Sequence, residues 1–335
     1  MRILVTGAAG FIGSHYVRTL LEGRLPGAEH AHVTALDLLT YAGDRAALPA
    51  AHPRMHFVHG DVADARLLAS LLPGHDAVVH FAAETHVDRS IAGGAEFVRT
   101  NVLGTQVLLE AVRGAGVGRM VHVSTDEVYG SIAAGAWDEE RPPAPNSPYA
   151  ASKAASDLLA LAFWRTHGTS VSVTRCSNNY GPGQHPEKLI PRFTTGLLAG
   201  EPVPLYGDGL NVREWLHVDD HCRAVHLVLT RGAGGEVYNI GGGTELTNRE
   251  VAARLAALCG ADPAAIRPAA DRPGHDRRYA LDDAKIRRTL GYRPRVPFET
   301  GLAATVAWYR DHPHRWRSAD GAVPARTREA SRARR

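Results

Sequence analysis

Short apolar segments alternate with amphipathic segments along the first half of the chain. The apolar segments are RILVT, HVTAL, MHFVH, AVVHF, RMVHVS and SVSVTR. Between them lie stretches such as SHYVRTLLEG and FVRTNVLGTQVLLEAVRGAG, in which apolar residues recur at helical intervals. Strands that alternate with helices form βαβ units, so this pattern predicts an α/β fold with a parallel sheet covered by helices.

The pattern changes after the segment SVSVTR. Glycine- and proline-rich stretches follow, among them NNYGPGQHPEKLIP, LYGDGLNVREW and IGGGTELTNRE, together with short helical patterns such as EVAARLAALCG. We expect a smaller, mixed α/β region here, with the segment EVYNI returning to the main sheet. The predicted division is a sheet domain of residues 1–177 with about 236–241, a second region of 178–235 and 242–318, and a disordered basic tail of 319–335.

The charge distribution argues against a nucleic-acid partner. The 335-residue sequence has a formal net charge of +3. Five arginines in the tail 319–335, against Asp320 and Glu329, account for all of this excess, so the rest of the chain is formally neutral. A neutral body lacks the broad basic surface that binds nucleic acid.

The composition is typical of a globular protein. Apolar residues make up 44% and charged residues 22% of the chain, and no apolar run approaches the length of a membrane span. The first apolar segment breaks at Gly7 and Gly10, which favours a strand and turn over a signal peptide. Because Cys176, Cys222 and Cys259 lie far apart without metal-ligand spacing, we expect reduced thiols and a cytoplasmic location.

A glycine-rich turn follows the first predicted strand. The segment MRILVTGAAGFIGSH places Gly7, Gly10 and Gly13 between a strand and a helix. Glycines allow a tight turn and a close approach of the backbone to a pyrophosphate, which the helix N-terminus also favours. The spacing is GxxGxxG rather than GxGxxG, and the triplet alone is weak support, since such turns also arise for packing.

Acidic residues after the second and third strands strengthen this interpretation. Asp37 ends the segment HVTALD, where a carboxylate accepts hydrogen bonds from an adenosine ribose. No arginine follows in LLTYAG, which favours NAD over NADP. Asp61 and Val62 are placed to contact the adenine. The pattern therefore predicts a Rossmann-type, doubly wound parallel sheet that binds NAD.

A tyrosine and a lysine lie one helical turn apart in NSPYAASKAASDLLALAF. Ser147 and Pro148 are suitable cap and first-turn residues, so Tyr149 and Lys153 share one face of the helix. A nearby ammonium and the positive nicotinamide ring both favour the phenolate. Tyr149 can then take a proton from an alcohol while hydride leaves the carbon. The same spacing also occurs in ordinary surface pairs, but its place after the dinucleotide loop favours catalysis.

Two adjacent carboxylates follow the strand RMVHVS. The segment STDEVYG places Thr125, Asp126 and Glu127 at the edge where parallel sheets bind ligands. A solvated strand end is the simplest alternative. Two carboxyl groups at close range push their pKa values apart, so that one holds a proton while the other is a base. Such a pair titrates as a coupled unit.

These segments resemble a known family, the extended short-chain dehydrogenase/reductases, and within it the branch that acts on nucleotide sugars. The resemblance extends from Met1 to about Arg317. It is carried by long blocks: TGAAGFIGSH, LTYAG, HFAAETHVDRS, STDEVYG, NSPYAASKA, RCSNNYGPGQHPEKLIP, LYGDGLNVREWLHVDDH, NIGGG and DRPGHDRRYALD.

The resemblance implies an NAD-dependent dehydration of a nucleotide sugar, with dTDP-glucose as the expected substrate. Tyr149, assisted by Lys153, takes the C4 hydroxyl proton as hydride passes to NAD, and Thr125 binds the C4 oxygen. Glu127 then removes the C5 proton, Asp126 protonates the leaving C6 hydroxyl, and the hydride returns to C6. Relatives that only epimerise lack this Asp-Glu pair. The alternatives are a UDP- or GDP-sugar dehydratase and a UDP-hexose epimerase.

The resemblance also implies the binding residues. Besides Tyr149 and Lys153, the cofactor set is Gly7, Gly10, Phe11, Ile12, Gly13, Asp37, Leu38, Thr40, Asp61, Val62, Ala82, Ala83, Thr100, Ser124 and Asn179. The substrate set is His86, Thr125, Asn178, Lys188, Leu189, Pro204, Leu205, Tyr206, Arg213, Asn248, Arg272 and His275. Within it, two arginines are implied at the diphosphate and Pro204, Leu205 and Tyr206 around the base.

Three further expectations concern metals, assembly and one loop. His217 and His221 in HVDDH look like metal ligands, but we expect the two aspartates between them to cap the next helix, without a metal.

Family members dimerise through two helices per subunit, which implies a homodimer formed by residues 97–115 and 149–167. Gly183 stands where many relatives carry a bulkier residue, so the loop over the sugar is expected to differ.

Overall fold

The computed structural model describes residues 1–316, and its strands fall into three sheets. The predicted disordered tail, 319–335, lies outside the described residues. The strands are β1 (Arg2–Thr6), β2 (His32–Asp37), β3 (Met55–His59), β4 (Ala77–His80), β5 (Arg119–Thr125), β6 (Val171–Cys176), β7 (Asn178–Tyr180), β8 (Val203–Tyr206), β9 (Val212–His217), β10 (Val237–Ile240), β11 (Thr244–Thr247) and β12 (Ile266–Ala269).

The central sheet has seven parallel strands in the order β10-β6-β5-β4-β1-β2-β3. Each of the six apolar segments of the first half contains one of these strands. The predicted α/β class and the Rossmann-type, doubly wound sheet are confirmed. The strand order reverses between β1 and β4, and a ligand crevice forms at such a switch point, outside the carboxyl ends of the strands.

Helices pack on both faces of the central sheet and around the second region. They are α1 (Phe11–Leu21), α2 (Ala65–Leu71), α3 (Val87–Ala92), α4 (Ala95–Phe97), α5 (Gly104–Gly114), α6 (Pro148–His167), α7 (Leu189–Leu198), α8 (Val218–Arg231), α9 (Asn248–Cys259), α10 (Ala284–Leu290) and α11 (Phe298–Asp311). A π-helical segment, Val98–Leu103, joins α4 to α5. Helices α1, α8 and α10 pack on one face of the sheet, and α2, α5 and α6 pack on the other.

A second apolar core lies beyond the carboxyl edge of the sheet. Helices α7, α9 and α11 pack around the small sheet β11-β9-β7, with Tyr180, Trp215 and Phe298 at its centre. Strands β8 and β12 form a separate parallel pair. Strand β10 pairs with β6 in the central sheet. The limits predicted for the two regions stay a prediction.

Two helix starts test the sequence patterns. Ser147 caps α6 by accepting a hydrogen bond from the Ala150 N–H, and Pro148 occupies the first turn, as predicted. The prediction that aspartates cap the helix after HVDDH is wrong. His217 caps α8 instead, because helical backbone already begins at Val218 and places both aspartates inside the first turn.

A layer of buried polar side chains lies between α6 and the central strands. Lys153 belongs to this layer and is only 3% exposed. Its Nζ donates a hydrogen bond to the Val123 carbonyl at 2.8 Å. Burial lowers the pKa of Lys153 from 10.5 to about 8. A lysine held at this depth costs stability while it is charged.

Replacing Lys153 with methionine should therefore stabilise the fold while abolishing activity. Below about pH 8 the native and unfolded chains both carry the charge, and removing it should raise the free energy of unfolding by up to about 3 kcal/mol. As the pH rises from about 8 towards 10.5, native Lys153 loses its proton first, so the advantage of the variant should shrink. Denaturant unfolding at a series of pH values measures both effects.

Lys285→Met is the matched control. It removes a lysine whose Nζ forms a partly exposed ion pair with Glu236 at 2.6 Å, so it should not stabilise the protein. A Lys153→Met protein less stable than the parent at neutral pH would contradict the assignment of a buried, costly charge.

Candidate active site

A cavity of about 440 Å³ opens at the carboxyl edge of the central sheet. Its walls come from the segments that follow β1, β2, β4 and β5, from the start of α6, and from the second region. Every catalytic, cofactor-binding and substrate-binding residue predicted above contributes to these walls. The structure thus brings the whole predicted set together around one continuous cavity. The role of each residue in that set stays a prediction.

The glycine loop forms one end of the cavity. Gly7 has a φ of +64°, and a Cβ there would lie 2.5 Å from the Ala82 nitrogen. A Cβ at Gly13 would lie 2.1 Å from the Gly7 carbonyl oxygen. Helix α1 begins at Phe11 without a side-chain cap, so its first N–H groups face the cavity as anion donors. These features fit the pyrophosphate of a dinucleotide.

Asp37 braces the same loop from the end of β2. Its Oδ2 accepts from the Ala9 N–H at 2.8 Å, and its Oδ1 accepts from the Leu39 N–H at 2.7 Å. Each carboxylate oxygen has a second lone pair, so the group can still accept hydrogen bonds from the two ribose hydroxyls. Asp61 is held by the Arg99 guanidinium at 2.6 Å beside the same wall.

Thr125 and the two acids mark the point where β5 ends. Strand β5 runs to Thr125, and Asp126–Tyr129 then form one turn of 3-10 helix, which points successive side chains in different directions. Asp126 is 3% exposed, and its Oδ2 is buried without a hydrogen-bond partner among the described residues. Burial, and next the neighbouring Glu127 carboxylate, raise the pKa of Asp126 well above its ordinary value. The structure therefore favours a protonated Asp126.

Glu127 has a different electrostatic environment from its neighbour. Burial raises the pKa of Glu127, but the positive charges of Arg272, Lys188 and Arg213 oppose that rise. Three cations therefore favour the ionised form of Glu127, and only Arg213 is prominent near Asp126. The two adjacent carboxyl groups thus lie in unequal environments, since the nearby cations favour the charged form of Glu127 more than that of Asp126. The opposite protonation predicted from the sequence stays a prediction.

Tyr149 and Lys153 share one face of α6, as predicted, but do not contact each other directly. The Lys153 ammonium donates to the Val123 carbonyl. Burial, and next the Glu127 charge, raise the pKa of Tyr149 well above its ordinary value, and a hydrogen bond with Thr125 lowers it. The protein alone therefore keeps Tyr149 neutral. Two positive charges are expected to favour the Tyr149 phenolate, that of Lys153 and that of the nicotinamide ring. Because the Lys153 ammonium is hydrogen-bonded to Val123 instead of Tyr149, we expect the nicotinamide ring to contribute more to stabilising the phenolate.

The far end of the cavity carries buried donors and acceptors without partners. The Arg213 guanidinium stacks on the Tyr279 ring at 4.4 Å and donates to the Asp276 carbonyl at 3.0 Å. Arg272 lies 3.6 Å from the Asp88 carboxylate. Among the buried cavity atoms that lack a hydrogen-bond partner within the described residues are Arg272 Nε, Asn178 Oδ1 and Asn248 Oδ1. Buried polar atoms are almost always paired in the functional state, so these atoms await a polar ligand.

Several residues at the site were not predicted from the sequence, and the clearest case is Glu187, which lines the cavity, with its partner Tyr41. The Tyr41 hydroxyl donates to Glu187 at 3.2 Å, and the Arg89 guanidinium lies 3.9 Å over the Tyr41 ring. Lys188 donates to the Thr85 carbonyl at 2.8 Å beside them. These contacts join the loop after β2 to the loop before α7 across the cavity. The blocks LTYAG and HPEK carry both residues, but nothing in their spacing indicates the pairing.

Gly183 lies in the loop before α7. It has a φ of +83°, and a Cβ there would meet the Trp308 indole at 3.8 Å. A side chain at this position would therefore be strained by its backbone, and the indole of α11 occupies the adjacent space. The indole lies at an ordinary packing distance, so the cost of a side chain at Gly183 comes from the backbone, and the expected difference in this loop stays a prediction.

Neither a metal site nor a membrane-spanning helix is found in the part of the chain that the structure describes. Within residues 1–316, no group of three or more His, Cys, Asp or Glu side chains is arranged to hold a metal ion. His221 is fully buried, and Asp220 accepts hydrogen bonds from the Arg295 and Val296 N–H groups. None of the described helices combines the length and the apolar character that crossing a membrane requires.

Comparisons with known proteins agree with this site. Residues 4–305 match the family described as GDP-mannose 4,6 dehydratase. The chain is 62% identical to a dTDP-glucose 4,6-dehydratase of Streptomyces niveus over 94% of this chain and 95% of that protein. It is also similar to the crystal structure of DesIV, a dTDP-glucose 4,6-dehydratase of Streptomyces venezuelae with NAD bound, at a TM-score of 0.93, 62% identity and coverage of 94% and 99% of the two chains.

A more distant relative shows how far the architecture extends. The UDP-glucose 4-epimerase of Thermotoga maritima, solved with UDP-glucose, is 33% identical with a TM-score of 0.86, over 93% of this chain and all of that one. The family match covers most of the chain, and the identity to the dehydratases is nearly twice that to this epimerase. The chain therefore belongs to the extended short-chain dehydrogenase/reductases, in the nucleotide-sugar family described as GDP-mannose 4,6 dehydratase.

Proposed function

We propose that this chain catalyses the NAD-dependent dehydration of dTDP-glucose to dTDP-4-keto-6-deoxyglucose, a hydro-lyase step of deoxysugar biosynthesis. The observation that carries this proposal is the unequal environment of Asp126 and Glu127 beside Tyr149 in one cavity. Besides NAD as the hydride acceptor, oxidation of an alcohol needs only a base. Elimination of water also needs an acid at the leaving oxygen, and this site holds one.

NAD fits the glycine loop and Asp37, and when bound it accepts hydride from C4 and later returns it to C6. Tyr149 receives the C4 hydroxyl proton, and Thr125 orients the C4 oxygen from the end of β5. The Lys153 charge, one turn along α6, favours the phenolate that forms as Tyr149 becomes a base. The Asp37 carboxylate selects the free ribose hydroxyls of NAD.

The two acids divide the elimination between them. Once C4 is a ketone, the C5 hydrogen is acidic, and the Glu127 carboxylate removes it. Asp126 gives its proton to the C6 hydroxyl, which leaves as water. The proton on Glu127 then exchanges with solvent, and C5 is reprotonated when hydride reaches C6. Arg213 and Arg272 are placed to bind the diphosphate through guanidinium groups.

The product formed from three nucleotide sugars tests this proposal. With dTDP-glucose in deuterated water, we expect the 4-keto-6-deoxy product with deuterium at C5 and no net accumulation of NADH. UDP-glucose and GDP-glucose should react more slowly, because Pro204, Leu205 and Tyr206 are proposed to line the base pocket. Mass spectrometry and NMR of the products decide the outcome. Formation of a C4 epimer without loss of water would overturn the dehydratase assignment in favour of an epimerase.

Replacing each acid separately should stop elimination for different reasons. Glu127→Gln removes the base, and Asp126→Asn removes the acid, so each should slow product formation by about 10²–10⁴-fold. Both variants should still oxidise C4, because Tyr149 and Lys153 remain. Single-turnover absorbance should therefore show the reduced cofactor persisting after mixing with dTDP-glucose.

A substrate analogue separates the two roles. An analogue that carries fluorine in place of the C6 hydroxyl loses fluoride without needing a proton. It should restore elimination in Asp126→Asn but not in Glu127→Gln. Restoration in both variants, or in neither, would show that the acid and the base are not divided in this way.

We also propose that the protein acts as a homodimer in the cytoplasm. Val98, Leu103 and Leu158 are 57%, 50% and 55% exposed on the neighbouring helical segments 95–114 and 148–167. Large apolar side chains grouped at this surface favour association with a second copy. Cys176, Cys222 and Cys259 are free thiols, which suits a reducing compartment.

Charged substitutions on this surface should produce monomers. We expect Leu103→Asp with Leu158→Asp to halve the mass in solution, because burying two carboxylates at an apolar interface is unfavourable. Leu210→Asp is the control, since Leu210 is 39% exposed outside these helices and outside the cavity. Light scattering after size exclusion measures the mass. A parent protein that is already monomeric would contradict the dimer.

A further inference from the structure

A third ionisable side chain continues the catalytic face of α6. Asp157 lies four residues after Lys153, as Lys153 lies four residues after Tyr149, so the three side chains occupy successive turns of one face. Tyr149 and Lys153 line the cavity, whereas Asp157 does not. Asp157 is completely buried beneath the site. A buried carboxylate needs partners, and those partners show what it does.

Arg175 fixes the orientation of the Asp157 carboxylate, and the His122 ring lies beside it. Arg175 Nε donates to Asp157 Oδ2 at 2.9 Å from β6, and His122 Nε2 lies 3.4 Å from Asp157 Oδ1 on β5. The Arg175 guanidinium also packs over the Tyr129 ring at 4.6 Å. Burial raises the pKa of Asp157, but the His122 hydrogen bond and the Arg175 charge outweigh it and hold the pKa below its ordinary value. Asp157 is therefore an anion.

Asp157 is the carboxylate that acts on Lys153. Burial lowers the pKa of Lys153, while the charge of Asp157 and, after it, Cys176 raise it. Lys153 forms no direct ion pair among the described residues, and its one hydrogen bond goes to the Val123 carbonyl. Its charge therefore depends on an anion one turn away rather than on a contact partner.

The other titratable groups around Lys153 do not supply negative charge. His80 on β4 and His122 on β5 have pKa values lowered first by burial, which keeps both rings neutral. Burial raises the pKa of the Cys176 thiol on β6, and burial likewise raises the pKa of Tyr149 on α6. The remaining charged neighbour, Arg175 on β6, is positive. Without Asp157 the layer would hold two buried cations and no anion.

We infer that Asp157 is a positioning residue for the active site: its carboxylate, held by Arg175 one helical turn after Lys153, keeps the Lys153 ammonium charged. Asp157 touches neither the cavity nor the reacting atoms, so it acts through Lys153. The inference rests on the proposed function for the role of Lys153, but the charge state of Lys153 is measurable without substrate.

The small number of lysines makes the measurement direct. The whole sequence contains three, Lys153, Lys188 and Lys285. Protein labelled with ¹³C at the lysine ε-carbon should give three signals, and Lys153→Arg assigns one of them to Lys153. In Asp157→Asn, which keeps the shape and hydrogen-bonding capacity of the side chain, the Lys153 signal should titrate at least about one pH unit lower than in the parent. An unchanged titration would overturn the inference.

Two further variants separate charge from packing. Ser156→Ala removes a buried hydroxyl that contacts His122 at 3.1 Å but changes no charge, so the Lys153 titration should stay in place. Asp157→Asn leaves Arg175 without its carboxylate, so Asp157→Asn with Arg175→Met removes both charges and should show the same lowered titration. If the single variant fails to fold, the double variant decides the outcome.

The pH dependence of turnover gives an independent readout. The rate at saturating dTDP-glucose should fall at high pH as Lys153 loses its proton, and this fall should move to lower pH in Asp157→Asn by the same interval as the NMR titration. KM should be unchanged, because Asp157 does not contact the cavity. A merely structural role would lower the amount of folded enzyme without moving the profile. A parent enzyme inactive towards dTDP-glucose would refute the proposed function while leaving the NMR result standing.

Discussion

The reversal of strand order between β1 and β4 is the constraint on which the site depends. Because the seven strands are parallel, the segments that follow them all leave the same edge, and the reversal sends neighbouring segments apart to open a crevice. The glycine loop follows β1, and Thr125 with the two acids follows β5. The cofactor and the sugar can therefore bind next to each other at this one edge of the sheet.

Burial then influences the protonation of the carboxyl groups at this edge of the sheet. Away from water, a carboxyl group is protonated unless nearby cations stabilise its charge. Asp126 and Glu127 are adjacent in the chain, yet one turn of 3-10 helix directs only Glu127 towards Arg272 and Lys188. The second region supplies these cations, and we propose that they make Glu127 rather than Asp126 the base. An enzyme with the same Tyr149 and Lys153 but without this asymmetry would be limited to oxidation.

Local patterns predicted the fold well, since their physical causes are local, whereas most residues of the site were implied by the family resemblance. Ser147 and Pro148 begin α6 through hydrogen bonding and backbone geometry within four residues, and the parallel sheet follows from the alternation of segments. Features set by distant partners could not be predicted. The Tyr41–Glu187 hydrogen bond joins residues 146 apart. His217 rather than an aspartate caps α8, because Asp220 is taken up by the backbone of residues 295 and 296.

The direction of the Lys153 side chain is another feature that the sequence pattern did not predict. Helical spacing places Lys153 beside Tyr149, and a pair four residues apart suggests direct contact. The ammonium instead reaches the Val123 carbonyl, because β5 passes under α6 and its last carbonyls face the helix. A lysine anchored to the strand that carries Thr125 ties the position of the base on α6 to the acids at the end of β5. Proton removal at C4 and elimination at C5 and C6 therefore share one rigid frame, which suits a reaction whose intermediates must stay bound from the first step to the last.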